Sequence, residues 1–142
     1  MMNLAGDTVD GVHLTGLLFA VMLGGGLGAM ARVVINQIWL PTVPGEFPRG
    51  TLLVNALGCL LLGLLLGLIS IPDRFSLVFA LFGFGLLGGF TTVSSLSLEC
   101  LLMHRAGRVR SMASYLFISL LAGVGLAALG WQMGIRFSGA GA

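Results

Sequence analysis

Between residues 85 and 100 the chain reads GLLGGFTTVSSLSLEC, setting five hydroxyls, at Thr91, Thr92, Ser94, Ser95 and Ser97, and the carboxylate of Glu99 into otherwise apolar sequence. Gly88 and Gly89 precede them, and glycine has low helix propensity. Ser and Thr hydroxyls compete for backbone hydrogen bonds, so a helix crossing this stretch is either interrupted or merely flexible. An interruption would expose carbonyl oxygens, hard donors suited to a small cation such as Na⁺. Asn55, in TLLVNALG, is a second polar group in apolar surroundings, with Thr51 one helical turn earlier on the same face. A carboxamide is costly in hydrocarbon unless it has a partner. It serves either as an interhelical hydrogen bond or as a donor to an anion, which it binds without a fixed charge. Tyr115 and Ser119, four residues apart and continued by Gly123, form a further polar stripe that reads as helix adhesion or as a pathway. Arg32 and Glu99 either snorkel to an interface or border an aqueous vestibule.

Other chemistries find little support. GGGLGA, residues 24–29, resembles a dinucleotide loop only loosely and has no βαβ unit around it. His13 and His104 lie far apart and assemble neither a triad nor a helical metal pair. Cys59 and Cys100 fall within or at the end of apolar spans and read as packing residues. The net charge of +2 is too small to argue for a nucleic-acid partner.

These residues must be positioned by membrane-spanning elements. Of 142 residues, 57% are hydrophobic and 8% charged, and the mean hydropathy is +1.06, far from a soluble domain. Four apolar stretches, 13–39, 51–71, 75–103 and 111–137, are each long enough to cross a hydrocarbon core of about 30 Å as a helix. Backbone groups cannot stay unpaired in lipid, so the fold class expected is all-α, an integral membrane four-helix bundle forming a single domain over residues 1–142. Asp7 and Asp10, with no basic residue ahead of the first span, argue against a cleaved signal. The linkers are PTVPGEFPRG (41–50), the Pro72–Asp73 turn and HRAGRVR (104–110).

Glycines recur at four-residue spacing in Gly24/Gly28, Gly63/Gly67, Gly85/Gly89 and Gly130/Gly134, which lets membrane helices approach closely. Four thin helices bury little surface alone, so a homo-oligomer, most simply a dimer, is expected. Arg74 and Arg136 lie on one side of the bilayer, and Arg49, Arg105, Arg108 and Arg110 on the other, joined by Arg32 if it faces that surface. The second side is favoured as cytoplasmic, and so slight a bias is compatible with insertion in both orientations.

Three segments together, GGGLGAMAR (24–32), GTLLVNALG (50–58) and GGFTTVSSLSLE (88–99), resemble the small bacterial fluoride channels called Fluc or CrcB, and the resemblance covers nearly the whole chain. It implies a broken third helix and an antiparallel, dual-topology homodimer in the bacterial inner membrane. This assembly would pass fluoride through two pores, letting F⁻ that entered as HF leave the cytoplasm passively, with no enzymatic step. It also implies a structural Na⁺ at the dimer interface, held by the backbone carbonyls of Gly88 and Thr91. Asn55 would line the pore with Thr51, Ser94, Ser95, Tyr115 and Ser119, while Arg32 and Glu99 would border the vestibules. The family pattern TTFSTF reads TTVSSL here, so Val93 and Leu96 stand where two phenylalanines would turn positive ring edges to the anion. Two rival readings are a non-conducting partner in a heterodimeric channel and a small four-helix proton-coupled exporter, for which Glu99 is the only candidate carboxylate.

Overall fold

The computed structural model describes residues 4–39, 46–69 and 76–139. The expectations at Pro41, Pro44, Pro72, Asp73 and Arg74, and the span ends at Ile71 and Phe75, lie outside these residues. Within them the chain is helical. Helix α1 (Leu4–Val33) continues as a wider π-helical segment, Val34–Trp39, and α2 covers Arg49–Leu68. The third span opens with α3, a helical run over 77–90 whose middle, Ala80–Leu87, is π-helical. It resumes as α4 (Val93–Arg105), and α5 (Val109–Ser138) completes the chain. Among the described residues, four stretches are long and apolar enough to cross a membrane: His13–Ile38, Arg49–Leu68, Leu77–Arg105 and Val109–Ser138. The chain is therefore a multi-pass membrane protein, and large apolar side chains such as Leu18, Phe19, Met22, Leu120 and Val124 cover its outer faces.

Local chemistry explains the ends of these helices. The Ser76 hydroxyl accepts from the Phe79 N–H at 3.3 Å and caps the start of α3. Between α4 and α5, Gly107 takes a left-handed φ of 72°, which glycine adopts without strain. The Arg108 N–H then reaches the Met103 carbonyl at 2.9 Å, closing the end of α4.

The spaced glycines sort the helices into two pairs. A side chain at Gly24 would overlap the Leu81 carbonyl oxygen, one at Gly28 the Leu86 carbonyl oxygen, and one at Gly89 the Gly25 carbonyl oxygen. Helix α1 thus packs backbone to backbone against α3. Similarly, a side chain at Gly63 would meet the Ala127 carbonyl oxygen, and one at Gly130 the Leu60 carbonyl oxygen, while one at Gly134 would stand 2.8 Å from the Gly67 Cα. Helix α2 is joined in this way to α5. Between lipid-facing helices there is little hydrophobic driving force, so such close van der Waals contact is what holds each pair.

Candidate functional site

The site forms where the face of α2 carrying Thr51, Asn55 and Gly58 meets the third span. Thr91 (φ −78°, ψ 156°) and Thr92 (φ −152°, ψ 121°) have extended backbone between α3 and α4. Asn55 grips the second of them. Its Nδ2 donates to the Thr92 carbonyl at 3.0 Å, and its Oδ1 accepts from the Thr92 N–H at 2.8 Å. The Thr92 N–H can only donate, so the amide orientation is fixed by its partner. Gly58 lets α2 come this near, because a side chain there would run into the Thr91 methyl group.

The hydroxyls are used locally. Thr91 Oγ1 donates to the Leu87 carbonyl at 3.0 Å, and Ser97 Oγ donates to the Val93 carbonyl at 2.9 Å. Thr92 Oγ1 caps α4 by accepting from the Ser95 N–H at 3.2 Å. It also lies 3.0 Å from Ser94 Oγ and donates to Ser95 Oγ at 3.2 Å.

Glu99, two turns into α4, is held from two other helices. Thr51 Oγ1 donates to its Oε1 at 2.6 Å, and the Tyr115 hydroxyl donates to Oε2 at 2.8 Å. Tyr115 and Thr51 are 0% and 2% exposed, so both hydroxyls reach the carboxylate out of contact with solvent. Each hydroxyl has one hydrogen, and here that hydrogen is given to Glu99. The Phe47 ring stands edge-on to Tyr115, with centroids 5.5 Å apart.

The remaining residues singled out from sequence are distributed as follows. Ser119 Oγ, one turn beyond Tyr115, is buried with no hydrogen-bond partner among the described residues, as is Arg32 Nε. A groove of about 460 Å³ opens beside the Thr91–Thr92 junction, and its lining includes Asn55, Phe84, Gly88, Thr91, Thr92 and Val93. Val93 is 77% exposed on it, whereas Leu96 is half-buried and not among the lining residues. Two residues went unnoticed in the sequence. Asn36 Oδ1 is buried without a partner among the described residues, one helical turn beyond Arg32, a spacing that could have flagged it. Phe47, in a proline-rich linker, carried no comparable signal.

The family model described as CrcB-like protein, Camphor Resistance (CrcB), matches residues 19–131. The chain belongs to this family. Among its curated relatives is the protein named fluoride-specific ion channel FluC 2 of Nocardia farcinica. It is 41% identical over 126 residues, covering 83% of this chain and 88% of that one. FluC 2 of Bacillus subtilis is 40% identical, covering 84% of this chain and 88% of its own. A FluC of Thermus thermophilus is 44% identical over 115 residues, covering 80% of this chain and 91% of its own. The stretch matched to the CrcB family contains Arg32, Asn55, the Thr91–Thr92 junction, Glu99, Tyr115 and Ser119.

Proposed function

We propose that this chain is a passive fluoride channel of the bacterial inner membrane, formed by two copies inserted in opposite orientations. Supporting this reading is the extended Thr91–Thr92 junction, gripped by Asn55 beside an open groove, in a chain whose relatives along four-fifths of its length are named fluoride-specific ion channels. The third span would then act as a broken helix at membrane depth, which is tolerated where the backbone is buried in protein or lines a cavity.

The anion path is built from neutral donors together with the charged guanidinium of Arg32. Asn55 uses Oδ1 and one N–H on Thr92, and its second N–H is left to offer an anion. Ser119 Oγ and Arg32 Nε are donors without a partner among the described residues, which a passing fluoride would satisfy. Ser94 and Ser95 line the start of α4, and Val93 and Leu96 make the passage drier than aromatic edges would. Thr51 and Tyr115 act at one remove, by fixing the Glu99 carboxylate so that its charge does not wander into the path. No bond is made or broken during passage.

The residues also fit a resident cation. Gly88 and Thr91 both line the groove beside the junction, and backbone carbonyls are hard oxygen donors of the kind a small cation takes. The carbonyls of Gly88 and Thr91, from both subunits, would hold Na⁺, which supplies a fixed positive charge and ties the subunits together.

The test is fluoride efflux from liposomes holding the purified protein alone, with chloride efflux as the comparison. Fluoride-selective efflux is expected. Efflux that appears only when a second, related chain carrying TTFSTF is reconstituted with it would replace this reading with that of a partner subunit. Fluoride movement that requires a proton gradient would replace it with an exporter.

A further inference from the structure

The two hydrogen bonds from Asn55 fall on the N–H and the C=O of a single residue, Thr92, where the third span leaves its helical path. In a continuous helix each N–H is given to the carbonyl four residues earlier. The Leu87 carbonyl keeps its partner, since the Thr91 N–H reaches it at 3.0 Å. The next donor, the Thr92 N–H, would go to the Gly88 carbonyl but goes to Asn55 Oδ1 at 2.8 Å. The Thr92 carbonyl, turned aside with it, is met by Asn55 Nδ2 at 3.0 Å. Gly88 lies on the open groove, and a Cβ added there would find nothing closer than 3.9 Å, so the groove is open on that side of the residue.

We infer that Asn55 is a positioning residue for the cation site, holding the Thr92 N–H so that the Gly88 carbonyl stays free to bind a hard monovalent cation. This rests on the Na⁺ reading given above and adds to the role of Asn55 as an anion donor. The two roles use different parts of one side chain, Oδ1 and one N–H for the break, the second N–H for the anion. The physical reason is the cost of an unpaired backbone donor in apolar surroundings. With Asn55 gone, the nearest remedy for the Thr92 N–H is the Gly88 carbonyl one turn below, and closing that bond takes the oxygen away from the cation. The Thr92 hydroxyl is already engaged, accepting from the Ser95 N–H, donating to Ser95 Oγ and lying 3.0 Å from Ser94 Oγ.

The experiment measures radiolabelled Na⁺ binding to the purified full-length dimer in detergent by equilibrium dialysis, for wild type, Asn55→Ala and Asn55→Asp. Elution volume and far-ultraviolet circular dichroism certify the fold of each. Aspartate keeps an oxygen in place to accept the Thr92 N–H, so Na⁺ affinity should stay within about threefold of wild type, while fluoride efflux is lost to the added charge. Alanine should lower Na⁺ affinity by about tenfold or more, the scale on which residues that orient metal ligands act. A role in general packing alone would not separate the two variants in this way. Equal Na⁺ affinity in wild type and Asn55→Ala would overturn the inference and leave the Na⁺ site standing, as would equal loss in both variants. Absence of Na⁺ binding by wild type would overturn the site and the inference together.

Discussion

Gly28→Ala is the substitution that reads most directly whether α1 and α3 meet as described. The added Cβ would overlap the Leu86 carbonyl oxygen and stand 2.8 Å from the Phe90 nitrogen. Both are backbone atoms of a helix, so no side chain can swing aside and the helices must separate. Overpacking of this kind costs about 1–3 kcal/mol, against a gain in helix propensity of about 0.5–1 kcal/mol. The net loss is on the order of 1–2 kcal/mol. At about 3–4 °C per kcal/mol for a chain of this length, the unfolding midpoint should fall by about 3–8 °C. The internal control is Gly26→Ala on the same helix, where an added Cβ meets nothing within 4 Å. That variant should gain about 2–4 °C from propensity alone. The assay is thermal unfolding of the purified protein in detergent, followed by tryptophan fluorescence. Fluoride efflux should fall for Gly28→Ala, because the displaced segment ends at Phe90, immediately before the Thr91–Thr92 junction. If the two alanines shifted the midpoint in the same direction by the same amount, the backbone contact between α1 and α3 would be refuted.

Further outcomes follow from other residues. Tyr115→Phe removes the hydroxyl from Glu99 and keeps the ring against Phe47, a loss of about 0.6–1.7 kcal/mol, the range for side-chain hydrogen bonds between membrane helices. Adding Thr51→Val should cost less than it does alone, because a half-buried carboxylate freed from one tether can turn toward water. Strict additivity of the two midpoint shifts would show that they do not share Glu99. Gly89→Ala should lower the midpoint, since its Cβ would collide with the Gly25 backbone, while Gly88→Ala, helical and with nothing closer than 3.9 Å, should raise subunit stability by the same propensity gain as Gly26→Ala and weaken the dimer. Equal dimer dissociation constants for Gly88→Ala and wild type would show that no second copy closes on that groove. Changing Val93 and Leu96 together to Phe should raise fluoride efflux per reconstituted dimer by placing aromatic edges near the anion. A fall in efflux would mean that the passage is shaped differently and that the larger rings overpack it.

How far the sequence could be read depended on whether a feature is carried by one helix or by two. The pairs Gly24/Gly28 and Gly63/Gly67 were legible because a four-residue spacing sets both on one face of one helix. That the first pair meets α3 and the second meets α5 was not legible, since the partner of a small-residue face depends on how four similar helices associate. Weakness of the helix at Gly88–Ser97 could be read from residue types. The residue at which the helical run stops, Thr92, is bonded by Asn55, 37 residues away in sequence. For the same reason Asn55 stayed ambiguous between adhesion and transport, because an amide that bonds a peptide group and one that faces an anion have the same sequence signature. The joint hold on Glu99 by Thr51 and Tyr115 was hidden because each of the three had a plausible separate role.

The two kinds of contact divide the work of assembly between them. Within each helix pair the glycines bring backbones together, with α1 against α3 and α2 against α5. Between the pairs, polar groups of α2 and α5 reach the third span: Asn55 to Thr92, Thr51 to Glu99 and Tyr115 to Glu99. Close backbone packing tolerates almost no displacement, whereas membrane hydrogen bonds average about 0.6 kcal/mol each. The pairs should therefore behave as stiff units joined by a weaker polar seam. That seam runs from Glu99 through Thr51 and Asn55 to the extended residues, so every group proposed to touch fluoride or Na⁺ lies on it or within about one helical turn of it, apart from Arg32. Strengthening the seam with apolar packing would stabilise the fold and remove the polar line through the hydrocarbon core. Its modest strength is thus what the proposed transport path requires.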